Sequence, residues 1–137
     1  MSSIPSNYSF FDVPRPALFP LSHKHSSYGG VCLIFNKKFS SSFDNTVKFD
    51  SFECLFSHFK SSSYNFVIVI IYRPPKSSLS NFIDDFYKLS EHLFSLSLPF
   101  FILGDFNLHF NNPDILYVSK FLDILNLFNL MQHISFS

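Results

Sequence analysis

Residues 100–110, Phe-Phe-Ile-Leu-Gly-Asp-Phe-Asn-Leu-His-Phe (FFILGDFNLHF), read as the end of a buried strand. The apolar run suits a strand lying inside a sheet, and it stops at Gly104. An acid, an amide and an imidazole follow at alternating positions: Asp105, Asn107 and His109. Side chains two apart on a strand point the same way, so the three share one surface wherever the strand stays extended. In α/β sheets the edge beyond the strand ends is where ligand sites form. Gly104 lets the backbone turn tightly or lets a ligand approach. Asp105 can hold Mg²⁺ directly or through water, or orient an attacking water. Asn107 can donate to a phosphate oxygen without adding charge. The plainer alternative is an Asp/Asn turn after a strand, since both residues favour turns through local hydrogen bonds.

A second stretch ends in the same manner. Residues 66–72, FVIVIIY, are apolar and β-branched at nearly every position, which predicts a strand covered on both faces. Arg73-Pro74-Pro75 stops it. If the two strands are neighbours, Tyr72 comes to the same rim as Asp105 and Asn107. There the phenol can donate to a phosphate, and Arg73 can neutralise one. Taken singly, Tyr72 reads as an amphipathic strand-end residue and Arg73 as a solvated rim charge.

Outward from these, residues 1–27 read as irregular, because Pro5, Pro14, Pro16 and Pro20 exclude a long helix or a central strand. After Gly29-Gly30 a short strand is predicted over 31–35, with further strands over 46–49 and 52–59 and a turn over 61–65. Between 79 and 96 the apolar period lengthens. Phe82, Ile83, Phe86, Leu89, Leu93 and Phe94 recur at three- and four-residue steps, with Ser80 or Asn81 placed to cap a helix. A loop holding Asn111-Asn112-Pro113 leads to a second amphipathic helix over about 115–128, built on Leu116, Phe121, Leu122, Leu125 and Phe128. The order is strands, helix, strand, helix, which is an α/β layered sheet.

Composition narrows the functions. The chain has 137 residues, 47% of them hydrophobic and 15% charged, enough for one domain with a core. Phenylalanine, at 21 residues, fills positions that Leu, Ile or Tyr would otherwise take, as a biased source composition would produce. A formal net charge of +0 gives no support to avid non-specific attraction to nucleic acid. No apolar run approaches the about 18 residues of a membrane span, and the start has no basic-then-apolar leader, so no membrane partner is expected. Cys32 and Cys54 are too few for a disulfide framework and read as buried free thiols of a reducing, intracellular compartment. His23-Lys-His25 has a metal-like spacing but reads as a loop pair.

The segments GGVCLIF (29–35), YRPP (72–75) and LGDFNLH (103–109) resemble, in order and spacing, the endonuclease/exonuclease/phosphatase superfamily. They look most like the apurinic-type endonuclease domain of non-LTR retrotransposons. The resemblance covers about residues 4–134. It implies a DNase I-like four-layer α/β sandwich, two mixed sheets face to face with helices outside, and Mg²⁺-assisted hydrolysis of a DNA phosphodiester. By position, Tyr72 matches the tyrosine that hydrogen-bonds the scissile phosphate, and Asp105 the aspartate that orients the attacking water. Asn107 matches the asparagine that supports both. Arg73 and His109 fall in the phosphate's vicinity, and Asp105 is the residue placed to reach a metal through water. The partner implied is DNA and the location nuclear.

The resemblance also implies departures. The family's first strands carry an asparagine and a metal-binding glutamate, and its closing Ser-Asp-His carries the base histidine. Against that pattern residues 1–137 read as a partial domain, incomplete at both ends. The two glutamates, Glu53 and Glu91, read as a strand's outward face and a solvated helix position. Three readings stay open: an inactive piece of a retroelement endonuclease, which is favoured; an active phosphodiesterase or phosphatase of the superfamily; and a non-catalytic phosphate- or nucleic-acid-binding remnant.

Overall fold

The computed structural model describes residues 4–14, 30–109 and 115–133. Eight elements follow in the order β1 (Tyr8–Pro14), β2 (Gly30–Asn36), β3 (Ser40–Asp44), β4 (Glu53–Lys60), β5 (Asn65–Tyr72), α1 (Leu79–Ser95), β6 (Phe100–Asp105) and α2 (Ile115–Leu127). They form a two-stranded sheet, β1-β2, and a four-stranded sheet ordered β3-β4-β5-β6. All pairings are antiparallel except β5 with β6, which is parallel and bridged by α1.

The four-stranded sheet is covered on both faces. One face is built from Phe56, Val67, Val69 and Ile71, with Phe100 and Ile102 partly buried beside them, and takes both helices. Helix α1 buries Phe82, Ile83, Phe86, Leu89 and Leu93 there, five of the stripe that its three- and four-residue spacing predicts, while Phe94 of that stripe is 63% exposed. Helix α2 adds Phe121 and Ile124, with Leu125 and Phe128 partly buried beside them, and Phe86 meets Phe121 at 4.8 Å between ring centroids; Leu116 and Leu122, read as part of that face, are 59% and 40% exposed. The opposite face carries Leu55 and Phe59 of β4 and Phe66 of β5 under the smaller sheet. An aromatic seam ties the layers: Phe35 to Phe59 at 5.1 Å and Phe59 stacked on Phe66 at 5.7 Å. Helices, sheet and second sheet are three layers of the expected sandwich among the described residues.

Several sequence readings are corrected. Residues 8–14 are not irregular but form β1. Pro14 is tolerated because it is the strand's last residue, paired with Gly30. Residues 46–49 are not a strand. Asp44 accepts from both the backbone N–H and the hydroxyl of Thr46 at 2.8 and 2.5 Å, and that local turn ends β3. The alternation of Val47 and Phe49 instead reflects an irregular segment laid against the core. The edge strand is the serine cluster before it, β3, with Ser41 and Phe43 half-buried between exposed neighbours. Ser78, rather than Ser80 or Asn81, caps α1, accepting from the Asn81 N–H at 3.3 Å. The His23/His25 pair, Gly29 and residues 111–113 lie outside the described residues.

The two thiols differ. Cys54 is half-buried, and desolvation pushes its thiol up to about 12. Cys32, expected to be buried, is exposed on β2. Since the thiolate is the reactive form, a disulfide reagent at pH 8 is expected to label Cys32 quickly and Cys54 only after denaturation. Equal labelling of both thiols in the native protein would contradict this packing.

Candidate strand-end site

The site is built by register. In the antiparallel β4–β5 pair Glu53 stands opposite Tyr72, and in the parallel β5–β6 pair Tyr72 stands beside Asp105. Residues paired across a sheet project from the same face, so Glu53, Tyr72 and Asp105 form one row at one end of the sheet. Glu53 and Tyr72 are half-buried and Asp105 is exposed. Two residues predicted at this rim, Tyr72 and Asp105, are therefore brought together, at the carboxyl ends of parallel strands.

Glu53 corrects the reading of it as a strand's outward face. Its signal was present: the turn at 61–64, closed by the Ser61 N–H on the Tyr64 carbonyl at 2.8 Å, centres a hairpin that sets residue 53 opposite 72. Glu91 is exposed on α1, as read.

Asn107 and His109 do not continue the row. β6 ends at Asp105, and Asn107 adopts a left-handed backbone with φ 47°. Asn tolerates that region better than most residues. The Asp105 carboxylate accepts from the Asn107 N–H at 3.0 Å, so the turn is an Asx turn anchored by the same acid that forms the rim. The period-two alternation ends there, and His109 lies exposed in the coil beyond. Site and turn, posed as alternatives by the sequence, are one structure.

Arg73 departs furthest from its reading as a solvated rim charge. It is only 2% exposed. Its Nε donates to the Phe106 carbonyl at 2.7 Å, Nη2 to the Asn107 carbonyl at 2.6 Å, and Nη1 to the Ser77 carbonyl at 2.7 Å. Asn107 returns the contact, donating from Nδ2 to the Arg73 carbonyl at 2.6 Å. The Arg73 N–H donates to the Asp105 carbonyl at 2.9 Å. The Phe82 ring lies 5.7 Å from the guanidinium carbon. These donors are turned toward backbone carbonyls, and Arg73 joins 105–107 to the lead-in of α1.

Gly104 serves neither a tight turn nor a ligand. A Cβ built on it would lie 1.8 Å from the Ile71 carbonyl oxygen, and its φ is +152°. The close approach is that of the neighbouring strand's backbone.

Among the described residues no group of three His, Cys, Asp or Glu is arranged to hold a metal ion. Asp105 is the one carboxylate at the rim's exposed end, and the donor set at hand does not enclose a cation. Among the described residues, no helix is long and apolar enough to cross a membrane.

The sequence matches no protein-family model and no curated protein. The structure is similar to a solved one, the endonuclease domain of TRAS1, a telomere-specific non-LTR retrotransposon. The TM-score is 0.63 at 8% identity, over 89% of this chain and 53% of that one. At this identity the likeness is one of fold. The chain has the α/β sandwich fold of a non-LTR retrotransposon endonuclease domain and spans about half the length of the solved domain it matches.

Proposed function

We propose that this chain carries the phosphate-facing rim of a retrotransposon-type DNA endonuclease, a Mg²⁺-dependent phosphodiester hydrolase, and that the 137-residue chain by itself does not cleave. The observation that supports the reading is the pairing of Tyr72 with Asp105 at the carboxyl ends of two parallel strands, with Asn107 held in the turn just beyond.

In this reading the Tyr72 hydroxyl donates to a non-bridging phosphate oxygen, and Asp105 accepts a hydrogen bond from, and so orients, the attacking water. Asn107 has given one Nδ2 proton to the Arg73 carbonyl, so it offers a phosphate at most the other. Arg73 acts at one remove, by holding the turn. Its earlier assignment to the phosphate's vicinity gives way to this positioning role, and His109 is left at the periphery.

Mg²⁺ keeps several waters and takes one or two protein carboxylates together with substrate oxygens. The described residues supply Asp105 alone at the open end of the rim, so no step is assigned to the ion here. General acid–base help typically contributes roughly 10²- to 10⁴-fold. Among the described residues neither an enclosed cation site nor a base is assigned, and the expectation that goes with this reading is negligible turnover.

The test is nicking of supercoiled plasmid by the purified chain with Mg²⁺, where no relaxed product above background is expected. Joined to the flanking endonuclease segments of a related element, the protein should nick, and Asp105→Ala should return it to background. Strong, Asp105-dependent nicking by the 137-residue chain would overturn the inactive part of the reading. Nicking by the joined protein that survives both Asp105→Ala and Tyr72→Phe would overturn the site.

A further inference from the structure

We propose that Phe106 is a positioning residue of the rim, seated in a socket of three rings from both helices that fixes where Asp105 and Asn107 stand. The inference rests on the reading of those two residues as the working groups and names what holds them.

The sequence sets one apolar residue between the two polar ones, Asp105-Phe106-Asn107. Phe106 follows the last residue of β6 and packs, partly buried, against the helix-bearing core. Its ring centroid lies 6.1 Å from that of Phe82, 6.0 Å from Phe86 and 5.6 Å from Phe121. The three walls of this socket also meet one another: Phe82 and Phe86 at 5.7 Å, Phe82 and Phe121 at 6.1 Å, Phe86 and Phe121 at 4.8 Å. Every pair among the four rings is thus within the about 4.5–7 Å over which aromatic rings attract. The cluster is closed, and its members come from α1, from the turn after β6 and from α2.

A phenylalanine side chain has only two torsions, so a ring held on three sides leaves its own Cα little freedom. The backbone at 106 is held separately, because Arg73 Nε donates to the Phe106 carbonyl at 2.7 Å. Planar peptide units pass both constraints to the neighbouring residues. Asp105 is fixed through its carbonyl, which accepts from the Arg73 N–H at 2.9 Å, and Asn107 through its turn at φ 47°. The hydrogen bonds orient the segment, and the socket sets how far it stands above the core.

Phe82 serves both constraints, since the Arg73 guanidinium carbon lies 5.7 Å from its ring. Phe121 brings in α2, a helix that supplies none of the rim residues yet bears on where they sit. A misplacement of about 1 Å at reacting groups can cost roughly 10²-fold in rate. In a complete domain the socket is therefore a determinant of turnover that touches no substrate.

The test uses the 137-residue chain and reads geometry, with no DNA present. Phe121→Leu removes one wall of the socket and leaves 105–107 unaltered. The Arg73 amide, bonded to the Asp105 carbonyl, should then exchange at least about tenfold faster relative to the Val69 amide of the same strand. The Asn107 side-chain amide resonances should shift with it. Leu93→Ala, in the same core but about two turns along α1 from Phe86, should lower the urea midpoint and leave both signals at their parent values. If Phe121→Leu does not fold, Phe106→Leu, at the less buried position, carries the same expectation. Signals that stay put when a ring is lost, or that move as far in Leu93→Ala, would overturn the proposal. A joined endonuclease that fails to nick would count against the site reading, and these signals would still decide the socket.

Discussion

Replacing Gly104 by alanine is expected to abolish the folded state. The added Cβ would meet the Ile71 carbonyl oxygen at 1.8 Å, the carbonyl carbon at 2.8 Å and the Ile71 nitrogen at 3.0 Å. All three are backbone atoms of the neighbouring strand, so no side chain can swing aside. At φ +152° an L-residue is also strained whatever the space around it. Relief requires β5 and β6 to separate where Tyr72 and Asp105 pair. A loss on the order of 4 kcal/mol or more is the scale of such a backbone collision, against a total stability of about 5–15 kcal/mol for domains of this kind. Urea unfolding followed by far-UV circular dichroism should show the cooperative transition displaced to very low denaturant or lost. A midpoint within experimental error of the parent would mean that the two strands are not as close as described.

The second large effect is expected at Arg73. Arg73→Met keeps an unbranched side chain but removes the guanidinium that lies over Phe82 and the donors that satisfy the carbonyls of Phe106, Asn107 and Ser77. Taking one partner from a buried, charge-assisted set typically costs about 3–5 kcal/mol, because the groups left behind stay desolvated. Arg73→Lys should recover only part of this, since one ammonium cannot reach carbonyls that lie along a planar fork. Two readouts separate the local effect from general weakening. The urea midpoint should fall in the order parent, Lys, Met, and the Asn107 side-chain amide resonances should lose their dispersion in both variants. A solvated rim arginine, as the sequence alone suggested, would change stability by less than about 0.5 kcal/mol.

The contrast between these two positions marks where sequence reading succeeded and where it stopped. Strand 66–72 and both helices were legible because burial on two faces, or on one stripe, writes its period into residue choice. Residues 100–103 were legible as a strand but not as an edge: β6 ends the described four-stranded sheet, and Phe101 and Leu103 are 51% and 48% exposed, not buried inside it. Tyr72 and Asp105 were legible as rim residues because each directly follows such a run. β3 was not legible, since serines at an edge strand carry no apolar alternation strong enough to detect. Residues 46–49 misled for the opposite reason: an irregular segment against a core mimics a strand's alternation. Arg73 was misread because composition says only that arginines are mostly exposed. Its burial depends on carbonyls that come from residues 33 and 34 positions away. The role of Glu53 needed the hairpin's register, a long-range fact that follows once the turn at 61–64 is placed.

The reciprocal bonds between Arg73 and Asn107 carry a consequence for how such chains are recognised across genomes. The residues that make YRPP and GDFN conspicuous are also those that fasten one loop to the next: Arg73 to two carbonyls, Asn107 to a third, Asp105 to the turn N–H. A chain of this fold with no chemistry at the rim would still need these residues in order to hold the two loops together. Finding both words in a reading frame therefore diagnoses an intact scaffold and gives no measure of enzymatic competence.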